Sequence, residues 1–150
     1  MAGRSCMHYV RLVCSCIGVA VGLLACATFA VPSPYQHITA SGLAFISAVF
    51  AAVCLTLHAL HHRSVLQVYH SSETLNDLSK LGFCVFVIGF ALTTWFIFDG
   101  VYHKMGMKPF ADSPYISAVW SFMTAKWGIL LWSASRMYSG LMNSGSLLGD

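Results

Sequence analysis

The chain has 150 residues, 57% apolar and 9% charged, with a mean hydropathy of +0.71 and a formal net charge of +3. A single soluble core of this size cannot enclose so much apolar surface, so an ordinary water-soluble domain is excluded and lipid is the expected solvent. The basic residues are scattered singly, which excludes the electrostatic footprint of a nucleic-acid partner.

Four stretches are long enough to cross about 30 Å of hydrocarbon at about 1.5 Å per helical residue: 12–31, 38–60, 81–98 and 115–135. They lack the strict alternation of barrel strands, so each is expected to be a helix that satisfies its own backbone. The connections are short and leave no room for a soluble domain. The expected fold is all-α: one integral membrane domain, a four-transmembrane-helix bundle over 1–150.

The first run follows Arg4 and Arg11 and, with Leu23-Leu24-Ala25-Cys26, has some features of a cleavable leader. It exceeds the roughly 7–15 apolar residues of a signal core, so it is read as a retained span. Gly18 and Gly22 form a GxxxG pattern within it, and the second run places Ala40, Ala44, Ala48 and Ala52 four apart. Both stripes predict close helix approach, within the chain or in a homo-oligomer. The turn between them, Pro32-Ser33-Pro34-Tyr35-Gln36-His37, predicts a hairpin.

The segment 61–80 is polar and reads as a solvated connection. Arg4, Arg11, Arg63, Lys80 and Arg136 share one side of the bundle, against Lys104 and Lys108 on the other. That excess predicts that both termini and the tail 136–150 are cytosolic. Six cysteines, Cys6, Cys14, Cys16, Cys26, Cys54 and Cys84, lie in or beside the spans, where packing rather than disulfide formation is expected. Leu147-Leu148 has the form of a sorting signal without its upstream acid, leaving a plasma or an endosomal/lysosomal membrane equally open.

Ionisable groups in an apolar span are costly, so they mark where function is sought. Lys126 falls near the middle of the fourth span, about 15 Å of helix from either end. It predicts either an inward-facing cation for an anionic substrate or a lysine paired for structural reasons. His58 lies near the end of the second span, with His61 and His62 beyond it; an imidazole there either ligates a metal or is satisfied at the headgroup boundary. His103 follows the third span in the outer loop, where solvation alone also accounts for a histidine. Trp120, Phe122 and Trp127 lie deep in the fourth span, where flat rings serve packing or a flat ligand, whereas Tyr115 and Trp132 suit an interfacial belt.

Val119-Trp120-Ser121-Phe122, then Lys126-Trp127 and Leu130-Leu131, resemble the fourth span of the haem-responsive gene family of haem transporters, solute carrier family 48. The resemblance implies a transporter rather than an enzyme, with haem as its transported substrate. It implies haem-transfer roles for a second-span histidine, here His58, and an outer-loop histidine, here His103. An aromatic-Ala-Arg-Lys-Tyr motif follows the fourth span in that family. Here Ala134-Ser135-Arg136-Met137-Tyr138 keeps the arginine and tyrosine but not the aromatic, the alanine at its second place or the lysine.

Haem iron accepts an axial imidazole or phenolate, and its propionates pair with cations. His103, His58 and Tyr138 are thus expected as successive transient iron ligands, Lys126 and Arg136 as propionate partners, and Trp120 and Trp127 as ring contacts. One ligand per level would permit handover. Two other readings stay open: a b-type membrane cytochrome, which needs paired histidines at one depth, and a non-transporting tetraspan scaffold.

Overall fold

The computed structural model describes residues 2–63, 65–106 and 113–146; Lys108 and Leu147-Leu148 lie outside them. The protein is all-helical, with α1 (Ala2–Ala30), α2 (Ile38–His62), a single turn α3 (Leu66–Tyr69), α4 (Ser72–Tyr102) and α5 (Pro114–Ser146).

Local chemistry sets several helix ends. His37 caps α2, its ring nitrogen accepting from the Ala40 N–H at 3.3 Å, and Ser71 caps α4 by accepting from the Thr74 N–H at 3.2 Å. Pro114 opens α5 where a missing N–H costs nothing. α4 closes with Lys104 in the left-handed region (φ 51°), the Met105 N–H donating to Gly100 O at 2.9 Å and the Lys104 N–H to Val101 O at 3.2 Å. That paired closure fixes His103 as the last residue of the helix end.

Three helices hold a window long and apolar enough to cross a membrane: Tyr9–Ala30, Ile38–His62 and Ser72–Tyr102. α5 does not meet that criterion, because Ser117, Ser121, Thr124, Lys126, Ser133 and Ser135 dilute its apolar residues. The helices also run past the expected spans. α4 begins within the segment read as a connection, and α5 continues through most of the segment read as tail. Packing accounts for the second extension: Tyr138 is buried and Ser139 Oγ donates to Ser72 O at 3.4 Å.

Side by side, the long helices stand in the order α1, α2, α5, α4. α1–α2 and α4–α5 are antiparallel hairpins, and the central α2–α5 pair runs parallel. His37 Nε2 meets Ser113 O at 3.0 Å at one end, Thr124 Oγ1 donates to Leu43 O at 3.3 Å, and His58 meets Tyr138 at the other end. α1 therefore begins, and α5 ends, at the His58 end of the bundle.

Small residues make the close contacts. A Cβ on Gly22 would lie 2.8 Å from Ala48 Cβ and 3.1 Å from Ala44 O, so the GxxxG and alanine stripes meet within one chain. On α2 the buried stripe runs Ala40, Ala44, Ala48 and then Ala51, not Ala52. A spacing of four drifts about 40° per step on a helix of 3.6 residues per turn, which carries Ala52 off the face. Between α4 and α5, a Cβ on Gly128 would lie 2.6 Å from Phe86 N, and one on Gly82 would lie 2.7 Å from Trp132 N.

Gly128→Val is expected to force α4 from α5 and lower stability in detergent by about 1–3 kcal/mol. Gly140, where an added Cβ would meet nothing within 4 Å, should accept alanine without loss. Thermal unfolding of the two variants beside the wild type measures the difference.

Candidate functional site

Positions 54, 57, 58 and 61 fall on one face of α2, and 127, 131, 134 and 138 on one face of α5, by the i, i+3, i+4, i+7 rule. The two faces close on each other around Cys54, Leu57, Trp127, Leu131, Ala134 and Tyr138. At the terminal end of this seam His58 Nδ1 lies 2.7 Å from the Tyr138 hydroxyl. His58 is 7% exposed and Tyr138 1%, so the bond satisfies two polar groups that water reaches poorly. The His61 ring stacks on Tyr138 at 4.4 Å between centroids, with 28° between planes.

Beside the pair, α1, α2 and α5 enclose a cleft of about 270 Å³ whose polar lining includes Arg11, Cys14, Ser15, His58, Lys126 and Ser133, with Trp127 as its flat wall. A second cavity of about 180 Å³ adjoins it, sharing Cys14, Lys126 and Trp127 and adding Trp120 and Met123. Lys126 thus stands where the two meet. Its Nζ lies 5.1 Å from the centre of the Trp127 ring, a cation–π contact, and the side chain is exposed along the cleft. Trp127 is buried because α1 gives way: Gly18 leaves room where any Cβ would overlap the indole.

Four of the expected site residues, His58, Tyr138, Lys126 and Trp127, come together here, with Trp120 in the adjoining cavity. Arg136 does not join them. It is exposed on another face of α5 with its guanidinium 5.6 Å from the Trp132 ring. His103 lies at the opposite end of the bundle, exposed, its Nδ1 3.1 Å from both the carboxylate Oδ1 and the backbone O of Asp99. A proton on Nδ1 donated to Asp99 leaves the Nε2 lone pair facing outward, the arrangement in which a carboxylate orients a metal-binding imidazole. Exposed rings of Trp95, Phe98 and Tyr102 lead along α4 to it, with centroids 6.4 Å and then 5.8 Å apart.

The expectation of one ligand per level does not match this geometry, because His58 and Tyr138 share a level and bond to each other. Chain separation hid the contact: the residues lie 80 apart in sequence. Sequence reading also missed Asp99, which stands one turn before His103, and Arg11, which shares a helix face with Ser15 and Gly18. Both signals were present as spacings of four and seven.

An imidazole held by a phenol, two cations and a buried indole around one intramembrane cleft suit a flat, anionic ligand that carries a metal. The architecture defines a polytopic, all-helical membrane protein. A family model described as "Haem-transporter, endosomal/lysosomal, haem-responsive gene" matches residues 79–127, from Ser79 within α4 to Trp127 within α5. The heme transporter hrg-1 of Caenorhabditis elegans is 34% identical over 128 residues, covering 81% of this chain and 63% of that protein. Both matches support a likeness to the haem-responsive gene family. The chain spans 63% of the length of that curated relative, and no solved structure matches it.

Tyr138→Phe removes the phenol from buried His58 and is expected to destabilise the protein by about 1–3 kcal/mol. If the bond joins the helices as described, combining it with His58→Ala should cost less than the two changes summed, by about 0.5–3 kcal/mol. A double-mutant cycle on thermal or denaturant unfolding in detergent measures this coupling; strict additivity would contradict it.

Proposed function

We propose that the protein carries haem across an endosomal, lysosomal or plasma membrane toward the cytosol, with four spans and both termini cytosolic. The observation that carries this reading is the cleft itself, where His58, Lys126, Arg11 and Trp127 face one space between apolar helices. α5 crosses with the others because it runs beside apolar α2 from the His37–Ser113 contact to the His58–Tyr138 contact. Most of its polar side chains avoid lipid: Ser117, Ser121, Thr124 and Ser135 are buried, and Lys126 and Ser133 line the cleft, which explains how a helix of modest hydropathy tolerates lipid.

Haem is received at His103, whose imidazole is oriented by Asp99 and approached along the ring series of α4. It is handed to His58, twenty residues below the outer end of α2 and so about 30 Å lower. The cavity with Trp120, Lys126 and Trp127 lies between the two and gives the macrocycle flat walls and its carboxylates a cation on the way. Tyr138 acts on haem through His58. The 2.7 Å bond to the Tyr138 hydroxyl sets the orientation of the imidazole before the ligand arrives.

Of the three histidines near this end of α2, the cleft is lined by His58, and one imidazole in the cleft favours transient ligation over a resident haem, for which a second imidazole facing the first is the usual requirement. Two cations also have a use here that a scaffold would not give them. Among the described residues neither Arg11 nor Lys126 meets a carboxylate.

Expressed in a haem-auxotrophic cell at limiting haem, the wild type should restore growth. His58→Ala and His103→Ala should each abolish most of the rescue, and Tyr138→Phe should reduce it partially. Purified protein should arrive largely colourless and take up added haemin with a Soret shift. Undiminished rescue by all three variants would contradict the relay, and a stoichiometric haem surviving purification would favour a cytochrome instead.

A further inference from the structure

Arg11 enters the apolar window of α1 only two residues after its start at Tyr9, and its side chain is half-buried against the cleft. Its one side-chain hydrogen bond among the described residues, Nη1 to Met137 Sδ at 3.7 Å, uses a weak acceptor and meets little of what a guanidinium with five N–H donors requires. The ion pairs among the described residues are Lys80–Asp77 and His103–Asp99, and neither borders this cleft. A planar fork of donors facing a low-dielectric space without a counter-charge is costly until an anion occupies it.

The position of Arg11 along the bundle is fixed by its neighbours. Tyr9, two residues away, packs edge-on to His62 with centroids 5.7 Å apart, and Met137 adjoins Tyr138 in sequence. Arg11 is therefore level with His58. Lys126 lines the same cleft from eleven residues before Met137, about 16 Å along α5. A ligand whose metal sits at His58 meets Arg11 first. Arg136, at a similar depth, points its guanidinium over Trp132 and is absent from the cleft wall.

We propose that Arg11 is a carboxylate-binding residue of this site, receiving the acidic edge of a porphyrin held at the His58 level, the place that sequence alone gave to Arg136. The proposal rests on the haem-carrying reading above and adds which cation recognises the substrate there. Arginine suits the task because its two parallel N–H groups match the two oxygens of one carboxylate. Lys126 serves the middle of the path as a point charge, and Arg11 its terminal end as a directional clamp.

The test uses the full chain in phosphatidylcholine nanodiscs, which carry no net anionic headgroup. Three probes are titrated: haemin, iron-free protoporphyrin IX, and the dimethyl ester of that porphyrin, which keeps the macrocycle and loses both negative charges. Binding is read by Soret shift for haemin and by quenching of tryptophan fluorescence for the others. The wild type should prefer the diacid to the ester. Arg11→Gln should weaken diacid binding about ten- to a hundredfold and leave ester binding unchanged, so that the preference collapses. Arg11→Lys should restore part of it, which a misfolded variant would not, and Arg136→Gln should leave it intact. His58→Ala should remove the axial-ligand signature of haemin while keeping the diacid preference.

If Arg11→Gln keeps the wild-type preference while haemin binding still depends on His58, the Arg11 assignment is wrong and the haem reading stands. If no probe binds the wild type, both fall. If exchanging part of the phosphatidylcholine for phosphatidylglycerol abolishes the preference, a lipid phosphate is the occupant of Arg11 and the assignment is overturned.

Discussion

The parallel packing of α2 against α5 is the constraint on which the other features depend. Antiparallel hairpins follow from short connections, but nothing local makes two helices from different hairpins run side by side in the same direction. Hydrogen bonds at both ends do so here, and the shorter of them is the 2.7 Å contact between His58 and Tyr138. In a poorly hydrated seam each group would otherwise forfeit a hydrogen bond, so the pair fixes register as well as proximity. That register brings Lys126 and Trp127 of α5 to the same cleft as His58 of α2.

The outer helices complete the site by yielding space. Gly18 lets the Trp127 indole pass under α1, and Gly22 seats α1 against Ala44 and Ala48. On the other side, Gly82 and Gly128 bring α4 and α5 to near backbone contact. Without a hydrophobic driving force between helices in lipid, such close approach is where dispersion and weak polar contacts must come from. Large apolar side chains such as Leu24, Ile88, Phe90 and Trp95 are left on the outward faces of α1 and α4, where lipid is their solvent. His58, Tyr138 and Thr124 lie on the α2–α5 seam, and Lys126 in the cleft beside it.

Much of this was legible in the sequence, and for identifiable reasons. Long apolar runs determined the helices, because backbone groups in lipid have few other solutions. The GxxxG and alanine stripes marked a real contact, and His58, Lys126 and Trp127 stood out as polar or flat groups in apolar surroundings. The continuation of α5 through Tyr138 was not legible, since burial against α2 supports that turn. The pairing of His58 with Tyr138 depends on register between helices, which periodicity within one helix does not carry. Arg11 and Arg136 looked alike as flanking charges; only their helix faces separate them, and α5 turns Arg136 toward Trp132.

Passage of haem through the bilayer by way of His58, at the bottom of the intramembrane cleft, is the central claim. The direct measurement is transfer in proteoliposomes that enclose an apo-globin, with haemin added outside and the Soret band of the reconstituted globin followed in time. Wild-type protein should fill the globin well above the rate of empty liposomes, and His58→Ala, at equal incorporation, should fall to that background. Equal rates for wild type and His58→Ala would contradict the claim.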